Sequence, residues 1–163
     1  MRKSILVSEI ARRVSATEDD IQSLDPVWQG MMRRDDDGRM WVSEDRQGYI
    51  LGALDAAVDC RRDERIKKAD ANLVSHYRAL TSAGRRSAPG LQGAAQEQKQ
   101  MLKTVSQVLD ALMELVDAKV DARRMRPETA AQIRAEVDLL RHDARQNTAR
   151  ALLAIRSLLD LAS

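Results

Sequence analysis

Apolar residues recur at helical spacing over most of this chain. Ile50, Leu54, Val58, Ile66, Ala69, Leu73, Tyr77 and Leu80 fall on one roughly helical stripe, which predicts a helix from Ser43 to about Ala83. Ser43 followed by Glu44 and Asp45 suits its start, because a hydroxyl cap and early carboxylates satisfy free amides and the helix dipole. The stripe is interrupted from Arg61 to Arg65, so the middle of that helix is expected to be solvated. Gly84 to Gly93, with Arg85, Arg86, Pro89 and three glycines, reads as a linker. Beyond it Leu102, Val105, Leu109, Leu112, Val116 and Val120 mark one helix. Ile133, Val137, Leu140, Ala144, Asn147, Ala151, Ile155 and Leu158 mark the next, at near-heptad spacing. Pro127, after the basic turn Arg123-Arg124-Met125-Arg126, suits a first helical turn and would interrupt a continuing one. The expected C-terminal architecture is an antiparallel helical hairpin or coiled coil.

Residues 4–50 are patterned in shorter pieces: an apolar helical turn, a polar turn, a second short helix, then a break at Asp25-Pro26. Met31-Met32-Arg33-Arg34 and Arg39-Met40-Trp41-Val42 flank Asp35-Asp36-Asp37-Gly38, and two extended runs around an Asp-Gly turn predict a β-hairpin. The chain is therefore expected to be mainly α. It divides into a small module over 1–58, a connecting helix over 59–83, the linker over 84–93 and a helical region over 94–163. Composition agrees, since 44% of residues are hydrophobic but only 2% aromatic, with no Phe, a mixture suited to helix packing rather than to strands.

Two helices cannot hide both C-terminal stripes, because Leu139, Leu152, Leu153, Leu159 and Leu161 widen the second one beyond a narrow seam. Other helices must cover it. The long helix before the linker offers one, and further copies of the chain are the simpler source of several, with Leu109, Leu112, Val116, Ile133, Val137, Leu140, Ile155 and Leu158 as the oligomerising set. Asn147 on the seam either fixes register or is partly solvated.

Charge changes this picture little. A net charge of +2 hides 32% charged residues of both signs, so attraction to a polyanion must come from local patches. The single cysteine, Cys60, excludes an internal disulfide and reads as a small helix residue. His76 and His142 lie in different helices among polar neighbours, without HExxH or comparable spacing. GxSxG and GxxxxGK[ST] are both missing, and acidic pairs such as Asp19-Asp20 are explained by helix starts and turns. A non-enzymatic protein without cofactor or metal is expected. No apolar run reaches signal-peptide or membrane-spanning length, so a cytoplasmic location away from membranes is expected as well.

The segment Val7-Ser8-Glu9-Ile10-Ala11-Arg12-Arg13, with Ser15-Ala16-Thr17 and Ile21-Gln22, resembles the helix-turn-helix of the MerR-type winged-helix superfamily. Arg39-Met40-Trp41 with Ser43-Glu44-Asp45 is similar to the wing strand and following helix of that module. This resemblance implies that Ile10 and Ala11 pack the first helix, that Thr17 caps the second and that Ile21 holds it down. It also implies double-stranded DNA as partner, with Thr17, Gln22 and Ser23 making polar contacts and Arg12, Arg13, Arg33, Arg34 and Arg39 meeting phosphates. Ser15 stands where such modules prefer glycine, and Glu18, Asp19 and Asp20 put three acids on the second helix.

A winged helix, a long helix and an oligomerising helical region together resemble phage terminase small subunits of the lambda kind. Ile66-Lys67-Lys68-Ala69-Asp70-Ala71-Asn72-Leu73 is similar to the charged, Ala-rich helix after the DNA-binding module there, and Val108-Leu109-Asp110-Ala111-Leu112 and the region from Pro127 to Leu140 resemble the helical remainder. That resemblance implies a homo-oligomer that recognises viral DNA in the host cytoplasm and delivers it to a large, ATP-hydrolysing subunit. A MerR-like transcriptional or plasmid-maintenance regulator and a helical adaptor that never touches DNA are the competing readings. The basic cluster Arg61, Arg62, Arg65, Lys67 and Lys68 is either a second phosphate track or a solvated face.

Overall fold

The computed structural model describes residues 4–83, 91–144 and 148–162. The chain divides into two units, Met1–Asp63 and Glu64–Ser163, and the division falls inside one helix.

In the N-terminal unit, β1 (Ser4–Leu6) leads into α1 (Val7–Val14), followed by α2 (Glu18–Gln22), α3 (Pro26–Gln29), β2 (Arg33–Arg34) and β3 (Met40–Ser43). A 3-10 turn over Glu44–Arg46 then opens α4 (Gln47–Ala83), so the helix predicted from Ser43 starts one tight turn later. The hairpin is present, with Arg33 opposite Trp41 and Arg34 opposite Met40. Ser4-Ile5-Leu6, expected as the start of a helical turn, instead pairs antiparallel with β3 and completes a three-stranded sheet of order β1-β3-β2. Three residues carry too little periodicity to declare a strand, and only a partner strand far along the chain fixes them. The Asp25-Pro26 break proves to be a helix start: the Asp25 carboxylate accepts from the Val27 amide at 2.9 Å, and Pro26 occupies the first helical position, where its missing N–H costs nothing. Val7, Ile10, Ala11, Ile21, Leu24, Val42, Ile50 and Leu54 form the buried core of this unit.

The C-terminal unit contains the rest of α4 with α5 (Leu91–Asp121), α6 (Pro127–Asp143) and α7 (Thr148–Ala162). Residues 91–93 of the expected linker are the first of α5; the remainder of the linker lies outside the described residues. Arg123 ends α5 in the left-handed region at φ 57°, with the Arg124 amide donating to the Lys119 carbonyl at 2.8 Å. Arg134 and Arg141 of α6 bond Asp117 and Asp110 of α5 at 2.7 and 2.6 Å, a seven-residue step on both helices that sets an antiparallel register.

The second helix of the expected hairpin is two helices. α6 reaches Asp143, α7 begins at Thr148, and the Lys119 ammonium donates to the Ala162 carbonyl, which places the ends of α5 and α7 together. The heptad-like spacing hid this break because Ala144 and Ala151 continue the period without demanding a partner. A single helix running on would carry Ile155 and Leu158 away from α5, while folding back buries them, at about 1.5–3 kcal/mol for each large side chain. Asn147 lies outside the described residues.

The main apolar stripes are thus covered within the chain, whereas Leu139, Leu153 and Leu161, which widen the second stripe, remain exposed. Leu109, Leu112, Val116, Ile133, Val137, Leu140, Ile155 and Leu158 are all buried, none more than 6% exposed, in one cluster with Ala69, Leu73 and Leu80 of α4. They are the core of the single chain and cannot be a surface through which copies meet. Among the described residues no helix is long and apolar enough to cross a membrane.

Candidate nucleic-acid interface

Two short helices and a hairpin present the N-terminal candidates. α1 is stopped by Ser15, whose φ of 58° turns the chain left-handed; the Ala16 amide then reaches back to the Ala11 carbonyl at 2.9 Å and the Ser15 amide to Arg12 at 3.4 Å. This is the hydrogen-bond pattern that usually selects glycine, and Ser15 adopts it at a steric cost. Arg12 and Arg13 sit exposed in the last turn before it, with their charge favourably placed at the helix C-terminus.

Thr17 caps α2 as expected. Its hydroxyl accepts from the Asp20 amide at 3.3 Å, and the Asp20 carboxylate accepts from the Thr17 amide at 2.7 Å and from the Thr17 hydroxyl at 2.8 Å. Asp20 is 5% exposed, so it is a structural acid rather than one of three facing a polyanion; Glu18 and Asp19 remain on the surface. From α4, Arg61 completes the arrangement: one guanidinium nitrogen lies 3.0 Å from Asp20 and 3.1 Å from the Thr17 hydroxyl, and the other donates to the Ser15 carbonyl at 3.3 Å. With one donated and two accepted bonds the Thr17 hydroxyl is saturated and has nothing left for a base edge. The Ser23 hydroxyl likewise donates to the Asp20 carbonyl at 2.9 Å. Arg61, one of the cations of the alternative phosphate track, is therefore committed to the turn between α1 and α2.

The hairpin turn is closed by Asp35. Its amide donates to the Arg39 carbonyl at 2.9 Å, its carbonyl accepts from Gly38 at 3.0 Å, and Gly38 takes φ 79°, which an L side chain rarely adopts. The carboxylate accepts from the Arg39 amide at 2.8 Å and from the Trp41 indole at 2.9 Å. The Trp41 hydrogen bond holds the Asp35 carboxyl below its ordinary value; burial opposes it, and the Arg39 amide and charge and the Asp37 amide add to the lowering. Arg39 lies 3.3 Å from Asp35 and also pairs with Asp37, so its charge is neutralised within the turn. Arg33 and Arg34 differ: both are exposed on the edge strand β2, and neither has an ion-pair partner among the described residues.

These elements border an open recess of about 260 Å³ lined by Ile21, Gln22, Gln29, Met32, Arg33, Arg34 and Met40. It brings Gln22 together with Arg33 and Arg34 over an apolar floor. The Gln29 amide nitrogen is used internally, donating to the Gln22 and Leu24 carbonyls at 3.0 and 2.8 Å. Arg12 and Arg13 do not line the recess. Of the seven candidates for binding DNA, the fold gathers three, leaves two exposed elsewhere on α1, and commits Thr17 and Arg39 to local structure. The Thr17-x-x-Asp20 spacing was the one sequence signal for the structural role of Asp20; Arg61, far along the chain on α4, had none.

Among the described residues no group of His, Cys, Asp and Glu side chains converges to hold a metal ion. Cys60 is exposed. No protein-family model, curated protein or solved structure matches the chain.

Proposed function

We propose that the N-terminal unit is a winged helix-turn-helix module that binds double-stranded DNA. In this reading the chain is an oligomeric, non-catalytic recognition protein of the terminase-small-subunit type, acting in the cytoplasm and passing viral DNA to a large ATP-hydrolysing partner. The observation that carries the reading is the pair Arg33 and Arg34, two exposed cations on a hairpin edge, beside Gln22 at the end of α2. Two guanidiniums without carboxylate partners are suited to phosphate oxygens, and a neighbouring amide is suited to a base edge. Moving Asp20 from the exposed face of α2 into the structure reduces the acidic character that opposes this use. Copies would meet through surfaces other than the buried stripes; Leu139, Leu153 and Leu161 are exposed apolar side chains of the C-terminal unit.

Titration of a labelled duplex at several salt concentrations tests the reading. Replacing both Arg33 and Arg34 by Ala should weaken binding at every sequence and reduce the slope of log K against log salt by about 0.9 for each phosphate that is no longer neutralised. An unchanged slope, or no binding of the parent protein at low salt, overturns it and leaves the helical adaptor. Light scattering separates the two DNA-binding roles, since a many-membered ring favours packaging and a strict dimer favours a MerR-like regulator.

A further inference from the structure

The N-terminal unit has a second concave surface, of opposite character. A shallow, open groove of about 600 Å³ lies beside α3 and the first turns of α4, lined by Ser23, Leu24, Asp25, Trp28, Gly48, Tyr49, Gly52, Ala53, Ala56 and Ala57. Its lining combines the aromatic Trp28 and Tyr49 with small residues of α4, Gly48, Gly52, Ala53, Ala56 and Ala57. No lysine or arginine lines it. Tyr49 is 63% exposed within a lining that is apolar apart from Ser23 and Asp25. A Cβ placed on Gly48 or Gly52 meets nothing within 4 Å, so the backbone of α4 is open to close approach there.

The rims are acidic on both sides. Asp25 stands on the α3 rim. On the α4 rim Gly48, Gly52, Asp55 and Asp59 follow one another at steps of four, three and four residues, which puts them in one exposed row. Asp59 pairs with Arg62 at 3.2 Å, an ion pair at the surface that yields readily to a competing cation. A nucleic acid is repelled here. The same surface on a second copy also carries carboxylates and no lysine or arginine in its lining, so it does not complement itself in charge.

From the apolar lining between carboxylate rims we infer that this groove docks an amphipathic helix of a partner protein, one with a narrow apolar face flanked on both sides by lysine or arginine. The stretch from Gly48 to Ala57 rises about 14 Å, which matches between two and three turns of such a helix. The apolar face supplies contact with Trp28 and Tyr49, and the flanking cations select the partner and its orientation. The protein would then join two partners through separate faces, with cations at the hairpin recess and carboxylates around the groove.

Two synthetic helical peptides with the same Ala/Leu face, one flanked by Lys and the other by Glu, serve as probes in anisotropy titrations against the full chain. The Lys peptide should bind at least tenfold more tightly than the Glu peptide. Replacing Asp55 and Asp59 together by Asn should weaken the Lys peptide about tenfold, and Gly52→Arg should abolish its binding, while Gly52→Ala, which improves helix propensity, should leave a folded protein that still binds. Equal binding of both peptides, no binding of the Lys peptide, or undiminished binding by Gly52→Arg overturns the proposal. A dimer in light scattering that Gly52→Arg dissociates also overturns it, by assigning the groove to a second copy.

Discussion

In the C-terminal unit 19 buried apolar residues belong to one cluster, against eight in the N-terminal unit, among the described residues. The difference shows in what else each unit uses. The larger unit closes apolar stripes on one another and adds surface pairs such as Arg134–Asp117, which set register more than stability. The smaller one, with short helices and a three-stranded sheet, leans on polar devices: the Thr17–Asp20 box with Arg61, the Asp25 cap and the Asp35 turn. A core of eight side chains leaves little surplus after conformational entropy, so one or two hydrogen-bonded constraints weigh more heavily there. Both tryptophans, Trp28 and Trp41, lie in the N-terminal unit, so indole emission follows that unit, while most of the helical signal follows the other.

The largest expected effect is Leu112→Ala. Leu112 is fully buried, and truncation at such a site costs about 2–5 kcal/mol through lost transfer energy and the cavity left behind. The thermal transition seen by far-UV circular dichroism should fall on the order of ten degrees, with the tryptophan transition unmoved. A tryptophan transition that falls with it would mean that α4, which runs through both units, makes them unfold as one, and the comparison would collapse.

Asp20→Ala should reverse that pattern. It removes a helix cap and strands the Thr17 amide and the Arg61 guanidinium; about 2 kcal/mol is expected on the tryptophan transition. Arg61→Ala should cost about half as much, because Arg61 is 43% exposed and water replaces part of what it loses. A double-mutant cycle showing no coupling between the two would make the cap alone the stabilising element.

How much of this was legible in the sequence divides along the same line. Helix stripes such as Val105, Leu109, Leu112 and Val116 announce themselves through a 3.6-residue period, and Asp-Gly with flanking apolar runs announces the hairpin. The destination of the stripes was not legible. Periodicity says which face is buried and is silent on what buries it, so the long helix and further copies both stand as cover for the stripes; α4 does join the cluster, while α7 folding back has no signal in the period. At the N-terminal unit the candidate residues are visible and Thr17 reads as a helix cap, but Arg39 and Arg61 can be separated from Arg33 and Arg34 only by seeing which of them have internal partners.

Ser15 and Arg123 offer a smaller test with the sign reversed. Each is a non-glycine residue in the left-handed region at a helix C-terminus, one in each unit. Glycine removes a steric cost of about 1–2 kcal/mol and returns roughly half of it as lost chain entropy. Ser15→Gly should therefore raise the tryptophan transition, and Arg123→Gly the dichroism transition, each by about 0.5–1 kcal/mol. An effect of either substitution on the wrong probe would show that the units share their stability.

The smallest effect concerns Asp35, and it sharpens what the polar devices do individually. The carboxyl ionises more readily in the folded turn than in the unfolded chain, chiefly because the Trp41 indole donates to it. Its contribution is therefore complete above its ordinary value of 3.8 and disappears as the pH falls through the depressed folded value. In a Trp28→Phe background, acid titration should change Trp41 emission with a midpoint below 3.8, while the helical dichroism of the larger unit stays level. Asp35→Asn, which keeps an acceptor for the indole but cannot titrate, should remove the acid step. A midpoint at or above the ordinary carboxylate value would mean that the indole bond does not favour the charged form, and the turn would then rest on Gly38 and its backbone bonds alone.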